Sequence, residues 1–425
     1  MYKRRPLLRR AFSLGVRIAR GLPATPFFLM SLPFTLFLIL LFPFVKIKFI
    51  RLCSNRIGHY AMNTELLLCY LDDIKLNEKR TKYFFYLLNS PICNTQLHAM
   101  WKRVIPILSS RKIIFHSSNT LQFIFRDCYK NNELKNFEVA SGNRDIRGYF
   151  KKYRPHLFFE KIELENGSDL LLKLGIPVGS KYVCLYARDS AYLNKQFPEK
   201  DWSYHDYRDC DIQNFLEAAL FLANKGYYVV RMGKVVAKPF DMPHPKIIDY
   251  ACSQLRSDFA DIYLTAHCEF FISTSAGLDG VAQIFRKPVL CVNVAPFKHQ
   301  LQYWYPCELF ITKKIFDNAK DCFVKLSDIE SKIENVSSIQ EKFYSCGWSV
   351  VENNQKEILE AVCEMELHIS KKSSETISNP FWSLLRNTIP LSVVPDRDLL
   401  RSCPEKCYVR MGEKFWNDNQ CLFTE

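Results

Sequence analysis

Small polar residues follow a buried strand in the stretch EFFISTSAGLDGVAQIFRKPVLCV, residues 269–292. Ser273, Thr274 and Ser275 end the strand, Gly277 comes soon after, and a helical segment begins at once. Ligands of an open α/β sheet lie beyond the carboxyl ends of its strands. Small side chains let a ligand approach the backbone, and the N–H groups at a helix start attract phosphate. The stretch therefore predicts a phosphate or pyrophosphate site, although an ordinary capped turn explains it equally well.

Two other apolar segments end in arginines. YVCLYA and YYVV are predicted strands of a buried parallel sheet. The residues that follow them are Arg188, Asp189 and Ser190 in the first case and Arg231 and Gly233 in the second. A guanidinium group binds phosphate oxygens in a bidentate manner, whereas a lone arginine is more often half of a surface ion pair. Two arginines and a hydroxyl cluster at one edge of a sheet together indicate a diphosphate site.

Longer stretches of the chain share their pattern with a known family. They are YVCLYARDSAYL, HDYRDCDIQNFLEAALFLANKGYYVVRMG, IIDYACSQLRSDFADIYLTAHCEFFISTSAGLDGVAQIFRKPVLCVN and, near the start, RIGHYAMNTEL. In these stretches, which lie in order over about 46–310, the chain resembles bacterial glycosyltransferases linked to surface polysaccharide, and the closing YVRMGEKFWNDNQ fits as well. It also resembles, more distantly, the fucosyltransferase-like branch of the GT-B fold, although Tyr186 stands where fucosyltransferases tend to have His.

The resemblance implies a role for several of the strand-end residues. The resemblance implies that Arg188 holds the diphosphate of a nucleotide-sugar and that the residues from Ser273 to Ser275 support that diphosphate. It also implies that Asp249 lies near the base or ribose. GT-B enzymes generally need no bound metal, because cations and helix ends stabilise the leaving diphosphate. The chain has no DxD motif between strand signals. We therefore expect no metal ligands, and no cofactor beyond the nucleotide-sugar, which is a co-substrate.

Sugar transfer also needs a general base on the acceptor hydroxyl. We expect the amino-terminal domain to supply it from the stretch RIGHYAMNTEL, with His59 as first choice and Glu65 as second. A structural hydrogen bond is an equally good explanation of His59. Arg56 is expected to bind an acidic acceptor or the phosphate of a lipid-linked one.

The loop between two predicted elements, residues 188–210, holds a second group of polar side chains. Those expected to contact the donor sugar or the acceptor are His205, Asp206 and Arg208. Loops on a rigid scaffold often carry function. The alternative is a loop that its own salt bridges hold together.

The elements that must position these residues follow a strand–helix rhythm. Strands are predicted over 46–52, 82–88 and 113–115, and the rhythm restarts at residue 182. This alternation predicts an α/β fold with two tandem Rossmann-like domains, GT-B-like. The predicted parts are a basic arm and apolar anchor over 1–45, an acceptor domain over 46–175, a donor domain over 176–365 and an amphipathic tail over 366–425.

The positive charge of the chain is concentrated at its start. The net charge is +14, yet residues 1–51 alone hold ten Lys and Arg and no Asp or Glu. An uncharged apolar run over 21–45 lies beside them and is long enough to cross a bilayer, although Pro26, Pro33 and Pro43 interrupt it. A basic arm beside an apolar run favours an anionic membrane surface over nucleic acid. We predict a monotopic or peripheral anchor, with a single spanning helix as the alternative.

The sixteen cysteines are scattered through apolar segments, and no CxxC pair occurs. This usage is typical of small buried side chains in a reducing cytosol. Together these features predict an enzyme at the cytoplasmic face of the inner (plasma) membrane. We expect it to move a hexosyl or deoxyhexosyl group from a nucleotide-sugar to a lipid-linked or surface-polysaccharide acceptor. The alternatives are another nucleotide- or phosphate-dependent transferase on the same fold and a non-catalytic scaffold.

Overall fold

The structure is a computed structural model of the 425-residue chain. The residues it describes are 26–74, 80–87, 91–109, 111–126, 134–135, 137–138, 145, 147–196, 198–295, 309–333, 338–371 and 410–423. The chain divides into two compact units, residues 1–143 and residues 144–425. The sequence predicted the domain boundary at 175–176. The contacts place the division earlier, because the helix over 161–173 packs within the second unit.

The first unit contains a parallel three-stranded sheet with helices. Its described strands are Lys46–Leu52 (β1), Thr81–Leu87 (β2) and Ile107–Leu108 (β3), in the order β1-β2-β3. Its described helices are Pro26–Leu41 (α1), Ile57–Ile74 (α2), Thr95–Val104 (α3) and Arg111–Ile124 (α4). The carboxyl-terminal halves of β1 and β2 are buried, as expected for strands that lie in the core.

The second unit is built on a parallel seven-stranded sheet. Its strands are Tyr182–Tyr186 (β4), Tyr228–Arg231 (β5), Ile247–Ile248 (β6), Phe271–Ser273 (β7), Val289–Val294 (β8), Leu309–Thr312 (β9) and Arg410–Met411 (β13), in the order β13-β9-β8-β7-β4-β5-β6. The interiors of β4, β7, β8 and β9 are buried on both faces. Both faces are therefore covered, which explains why these strands are continuous apolar runs rather than alternating ones.

Helices and a small antiparallel sheet complete the second unit. The described helices are Tyr149–Lys152 (α5), Lys161–Lys173 (α6), Ala191–Gln196 (α7), Leu216–Asn224 (α8), Asp258–His267 (α9), Asp279–Ile284 (α10), Leu326–Ile333 (α11), Ile339–Ser345 (α12), Gln355–Lys371 (α13) and Glu413–Asp418 (α14). The antiparallel strands are Lys314–Asp317 (β10), Cys322–Phe323 (β11) and Trp348–Val351 (β12), in the order β11-β10-β12. Single 3-10 turns lie at Ser203–Arg208, Ile212–Phe215, Tyr250–Cys252 and Gln420–Leu422.

The predicted α/β class with parallel sheets is confirmed, and most predicted strands lie where the sequence indicated. The strand expected over 113–115 is wrong, because Ile113, Ile114 and Phe115 lie inside α4. A 3-10 turn over Ile212–Phe215 leads into α8, and Asp211 caps the turn by accepting from the Gln213 backbone N–H at 3.1 Å. The segment 410–423, expected as part of a tail, adds the edge strand β13 to the large sheet.

The apolar run over 21–45 contributes α1, which has 16 residues and contains Pro33. Among the residues that the structure describes, no helix combines the length and apolar character that a bilayer crossing requires. Residues 1–25, which hold the basic arm and the start of the apolar run, and the part of the predicted tail over 372–409 lie outside the described residues.

The contact between α6 and α9 depends on a glycine. A Cβ atom at Gly167 would lie 1.9 Å from Cε2 of Tyr263, whose ring is stacked between Phe259 and His267. We expect overpacking in Gly167→Ala to destabilise the protein by about 1–3 kcal/mol. The higher helix propensity of alanine should offset about 1 kcal/mol of this loss. Chemical denaturation measures the change. Asn166→Ala, at an exposed position of the same helix, is the control and should not destabilise; an equal loss in both variants would contradict the packing explanation.

Candidate functional site

The strand order of the large sheet creates one place where the direction of winding reverses. From β4 the chain moves outward through β5 to β6, and it then returns to pair β7 with the other edge of β4. A crevice outside the carboxyl ends of the two central strands is the usual ligand site of such a sheet. Arg188 lies just beyond β4, and the residues from Ser273 to Ser275 end β7. Two of the three predicted strand ends therefore meet where the direction of winding reverses, which we name the switch point of the sheet.

Arg188 is held at this point by both neighbouring loops. Its backbone N–H donates to Thr274 Oγ1 at 2.9 Å, which joins the end of β4 to the end of β7. Its guanidinium Nη1 donates to the Asp209 carboxylate and to the carbonyl oxygen of His205, the latter at 3.3 Å. The residue is buried, so the position of the guanidinium is set by these partners rather than by solvent.

Two more cations lie in the same neighbourhood. Arg208 donates from Nη2 to the carbonyl oxygen of Ser275 at 2.7 Å, so it reaches the loop after β7. Lys313 directly follows β9, is buried, and donates from Nζ to the carbonyl oxygen of Asp209. Tyr207 anchors the loop that carries Arg208, because its ring packs edge-on against Phe343 in a hydrophobic cluster.

The electrostatics of this group favour an anion. Burial, together with the nearby Arg208 guanidinium, lowers the pKa of Arg188 to about 10. Burial also lowers the pKa of Lys313, and the Arg188 charge acts in the same direction, against the Glu352 carboxylate. Buried cations that repel one another cost free energy until an opposite charge compensates them. Asp209 already pairs with Arg188, and a bound diphosphate would add a further opposite charge. We name Arg188, Arg208 and Lys313 the cation cluster.

The loop after β7 has an unusual backbone. Ser275 has φ of +56°, a conformation that a residue with a side chain seldom adopts and that often occurs at functional sites. Ser273 Oγ donates to Asp279 Oδ2 at 2.9 Å, and it also accepts from the Ala276 backbone N–H at 3.4 Å. These hydrogen bonds fix the turn that connects β7 to α10.

Burial makes ionisation of the Asp279 carboxyl group unfavourable. Burial raises the pKa of its carboxyl group to about 6, against the Ser273 hydrogen bond and the Arg208 charge, which lower it. Because the folded-state pKa lies above the ordinary value of 3.8, the protonated carboxyl group favours the folded state. This contribution to the free energy of unfolding is fully present below about pH 4 and is lost as pH rises through 6. The loss amounts to roughly 3 kcal/mol, from a shift of about two units at 1.36 kcal/mol per unit.

The expected result for Asp279→Asn follows directly. The amide cannot ionise and still accepts from Ser273, so the variant should gain stability relative to the parent as pH rises from 4 to 7, by up to about 3 kcal/mol. Urea denaturation at several pH values measures this difference. Asp241→Asn, at an exposed position, is the matched control. A difference between Asp279→Asn and the parent that does not change with pH would contradict the assignment.

Arg231 and Asp249 were both predicted to bind the donor, and the structure pairs them with each other. Arg231 Nη1 donates to Asp249 Oδ1 at 3.0 Å, and Nη2 donates to the carbonyl oxygen of Lys238 at 3.1 Å. Asp249 Oδ2 accepts from the Phe240 backbone N–H at 2.8 Å. The Arg231 side chain is 1% exposed, and this ion pair holds the loop after β5.

The remaining predicted donor residues have local contacts. Asp189 accepts from the backbone N–H groups of Ala191 at 3.0 Å and Ala237 at 2.8 Å, which ties two loops together. Gly233 has no room for a side chain, because a Cβ would lie 2.6 Å from Val236 Cγ1. Ser190 is half-buried at the start of α7, and Gly277 is exposed in the turn before α10. Asp206 is exposed, and the His205 ring packs on Tyr204 at 4.0 Å.

The residues predicted for the acceptor side lie in the first unit, at the carboxyl end of β1 and on α2. Arg56 is exposed, and His59 is half-buried in the first turn of α2. Burial, followed by the Arg56 charge, lowers the pKa of His59 below its ordinary 6.5, against a hydrogen bond to Asn63. The imidazole is therefore neutral at pH 7 and able to accept a proton. Glu65 is further along α2 and fully buried, which leaves His59 as the better placed of the two.

Sequence reasoning missed three residues of this neighbourhood. Asp209 was not singled out, although it stands beside Arg208 in the loop that was. Lys313 follows a short apolar strand, LFIT. Once β9 is recognised as a strand, the expectation that ligand-binding residues lie at the carboxyl ends of strands identifies Lys313 as it identified Arg188. Asp279 lies inside the stretch EFFISTSAGLDGVAQIFRKPVLCV, but its place in an otherwise apolar helix gave no signal of a functional role.

No family model matches the chain, and no curated protein matches it. The solved structures that show a weak likeness include three glycosyltransferases. A glycosyl transferase family 9 protein from Veillonella parvula has 10% identity over 76% of this chain and 97% of that chain, with a TM-score of 0.40. The E. coli ADP-heptose lps heptosyltransferase II has 14% identity over 76% of this chain and 100% of that chain, with a TM-score of 0.35.

The third likeness is to TibC, an iron-containing dodecameric glycosyltransferase from enterotoxigenic E. coli. It has 11% identity over 77% of this chain and 79% of that chain, with a TM-score of 0.39. At TM-scores below 0.5 and identities of 14% or less, these likenesses establish neither a family nor an activity for this chain.

Proposed function

We propose that this protein is a glycosyltransferase that moves a sugar from a nucleotide-sugar to a lipid-linked or surface-polysaccharide acceptor. The observation that carries the proposal is the cation cluster at the switch point of the large sheet. Arg188, Arg208 and Lys313 are positively charged side chains around the strand-end loop that the sequence predicts to bind phosphate. The resemblance of the surrounding motifs to bacterial glycosyltransferases supports the choice of sugar transfer among phosphate-using reactions.

In the proposed reaction the second unit binds the donor. The diphosphate lies against the cation cluster, with Arg188 as the bidentate partner and Thr274 and Ser275 supporting the loop. As the bond between the anomeric carbon and the diphosphate breaks, negative charge grows on the leaving oxygen. Fixed cations in a buried setting stabilise that charge without moving. This is the task for which many glycosyltransferases use a metal ion, and we propose that protein cations perform it here.

The proposed general base is His59 of the first unit. A neutral imidazole takes the proton of the acceptor hydroxyl as the new glycosidic bond forms, and the nucleoside diphosphate leaves with the electron pair. Arg56 is proposed to bind an acidic group on the acceptor. The location at the cytoplasmic face of the plasma membrane belongs to the same proposal.

The products of turnover test this proposal and separate it from the alternatives. The full chain is incubated with UDP-, GDP-, ADP-, CMP- and dTDP-sugars and a bacterial lipid extract as the source of acceptor. We expect one diphosphate donor to release its nucleoside diphosphate while the labelled sugar enters the organic phase. Release of the monophosphate, with sugar phosphate transferred, would identify a different phosphate-using transferase. No turnover with any donor by folded protein would favour the scaffold.

A further inference from the structure

Helix α1 turns its hydroxyl groups inward and its large apolar side chains outward. Ser31 and Thr35 are buried, and Thr35 Oγ1 lies in hydrogen-bond contact with the Ser31 carbonyl oxygen at 2.7 Å and with Ser117 Oγ of α4 at 2.9 Å. Leu38, one turn further along, joins the core formed with β1, β2 and α4. One side of the helix therefore packs against the rest of the first unit, and the hydroxyl groups on that side are hydrogen-bonded.

The other side of α1 is a continuous apolar surface. It consists of Leu29, Met30, Leu32, Leu36, Phe37 and Leu40, which are 43–66% exposed. Their spacing of three and four residues places them along one stripe of the helix. Soluble proteins rarely expose large apolar side chains side by side, and such a stripe marks a surface that another apolar phase covers. We name these six residues the outer face.

Positively charged residues, which we name the basic borders, lie near both ends of α1. At the amino end the exposed Lys112 of α4 places Nζ 4.3 Å from the ring centroid of Phe27. At the carboxyl end the chain passes from α1 into Lys46, whose backbone N–H donates to the carbonyl oxygen of Arg80 at 2.9 Å; both residues are exposed. The sequence adds no opposing charge, since residues 1–51 contain no Asp or Glu.

We propose that the outer face is a membrane-binding surface that enters one leaflet of an anionic bilayer, with α1 lying in the plane of the interface. An interfacial helix needs one apolar face at the depth of the acyl chains and cations at the level of the headgroups. The outer face and its bordering lysines and arginine meet both conditions. The inward hydroxyl groups are hydrogen-bonded within the protein, Thr35 to Ser117 of α4 and Ser31 to the carbonyl oxygen of Phe28, so they stay away from lipid.

Charge decides between lipid and a second copy of the chain as the occupant. Two copies packed face to face would bring basic borders together, and like charges across an interface oppose association. Phosphatidylserine or phosphatidylglycerol headgroups are attracted to the same borders. Each Lys or Arg near an anionic surface strengthens the attraction, and salt weakens it within a Debye length.

Flotation with vesicles tests the proposal on the full chain. Vesicles of phosphatidylcholine with 30% phosphatidylglycerol should float the parent protein, while pure phosphatidylcholine vesicles float less of it. The double variant Leu36→Glu with Phe37→Glu should bind the anionic vesicles at least tenfold more weakly, because two charges enter the centre of the outer face. Leu367→Glu, at a comparably exposed leucine on α13 of the second unit, should bind like the parent.

A second variant gives a direct reading of depth. Phe37→Trp keeps an aromatic side chain at the outer face, and its fluorescence should be quenched by lipids brominated along the acyl chain. Leu367→Trp should show no such quenching beyond the native tryptophans. Unchanged flotation of the glutamate double variant, or no added quenching at position 37, would overturn the proposal. A parent that ignores vesicles but dissociates from dimer to monomer when the two glutamates are introduced would assign the face to a second copy instead.

Discussion

Replacing Arg188 with alanine is expected to weaken binding of the nucleoside diphosphate about 10²- to 10³-fold and to remove measurable sugar transfer. Arg188 is a buried member of the cation cluster, and its backbone and side chain join the ends of β4 and β7 and the loop at Asp209. Removing one partner of a buried charge pair costs about 2–5 kcal/mol, much of it from the partner left unpaired. Isothermal titration with the diphosphate of the active donor measures the effect.

Two further variants and a folding control make this result specific. Arg188→Lys keeps the charge but loses the bidentate geometry, so it should recover only part of the affinity. Arg154→Ala, at an exposed arginine of the same unit, should bind like the parent. Asp209 also loses its partner in Arg188→Ala, so circular dichroism must show that the variant is folded. A folded Arg188→Ala that binds the diphosphate as tightly as the parent would remove Arg188 from the site.

His59→Gln is expected to lower kcat by about 10²–10⁴-fold and to leave donor binding unchanged. The imidazole is the proposed base, while the donor is held by residues of the second unit. In the parent enzyme, kcat should be flat above pH 6.5 and should fall at lower pH, because the pKa of His59 lies below 6.5. The variant should lose this acidic limb, which a purely structural role of His59 would not explain.

The control for His59 is a histidine outside the proposed site. His368→Gln, on α13, should keep both the rate and the pH profile of the parent. If His59→Gln transfers sugar at the parental rate, the base lies elsewhere, and Glu65→Gln becomes the next variant to measure. If donor affinity falls together with kcat, His59 acts through the donor instead of the acceptor.

The large sheet could be predicted because its strands are buried on both faces. Continuous runs such as YVCLY and VLCVNV are distinctive, and the ends of such strands show where a ligand site lies. The run IIF over 113–115 was wrongly predicted as a strand, because a run of three apolar residues does not distinguish a strand from a helix. There Ile114 packs into the core as part of α4.

The partners of each arginine could not be read from the sequence. Arg188 and Arg231 both follow buried strands, yet Asp249, 18 residues along the chain, takes up Arg231 in an ion pair. Lys313 joins the cation cluster because β9 lies beside β8 in the sheet, and the strand that precedes it was not predicted. The apolar run over 21–45 shows the same limit. Its composition predicts an apolar helix, but which of its faces is covered depends on Ser117 of α4.

The central claim is that the switch point of the large sheet binds a nucleoside diphosphate through protein cations. A thermal-shift screen of the full chain in chelator, and then with Mg²⁺ and Mn²⁺, tests it with the mono- and diphosphates of the five nucleosides. A ligand that binds only the folded state raises the melting temperature. We predict a rise in chelator with one diphosphate, a smaller one with its monophosphate, and loss of both in Arg188→Ala. A folded protein that no diphosphate stabilises under either condition would contradict the claim.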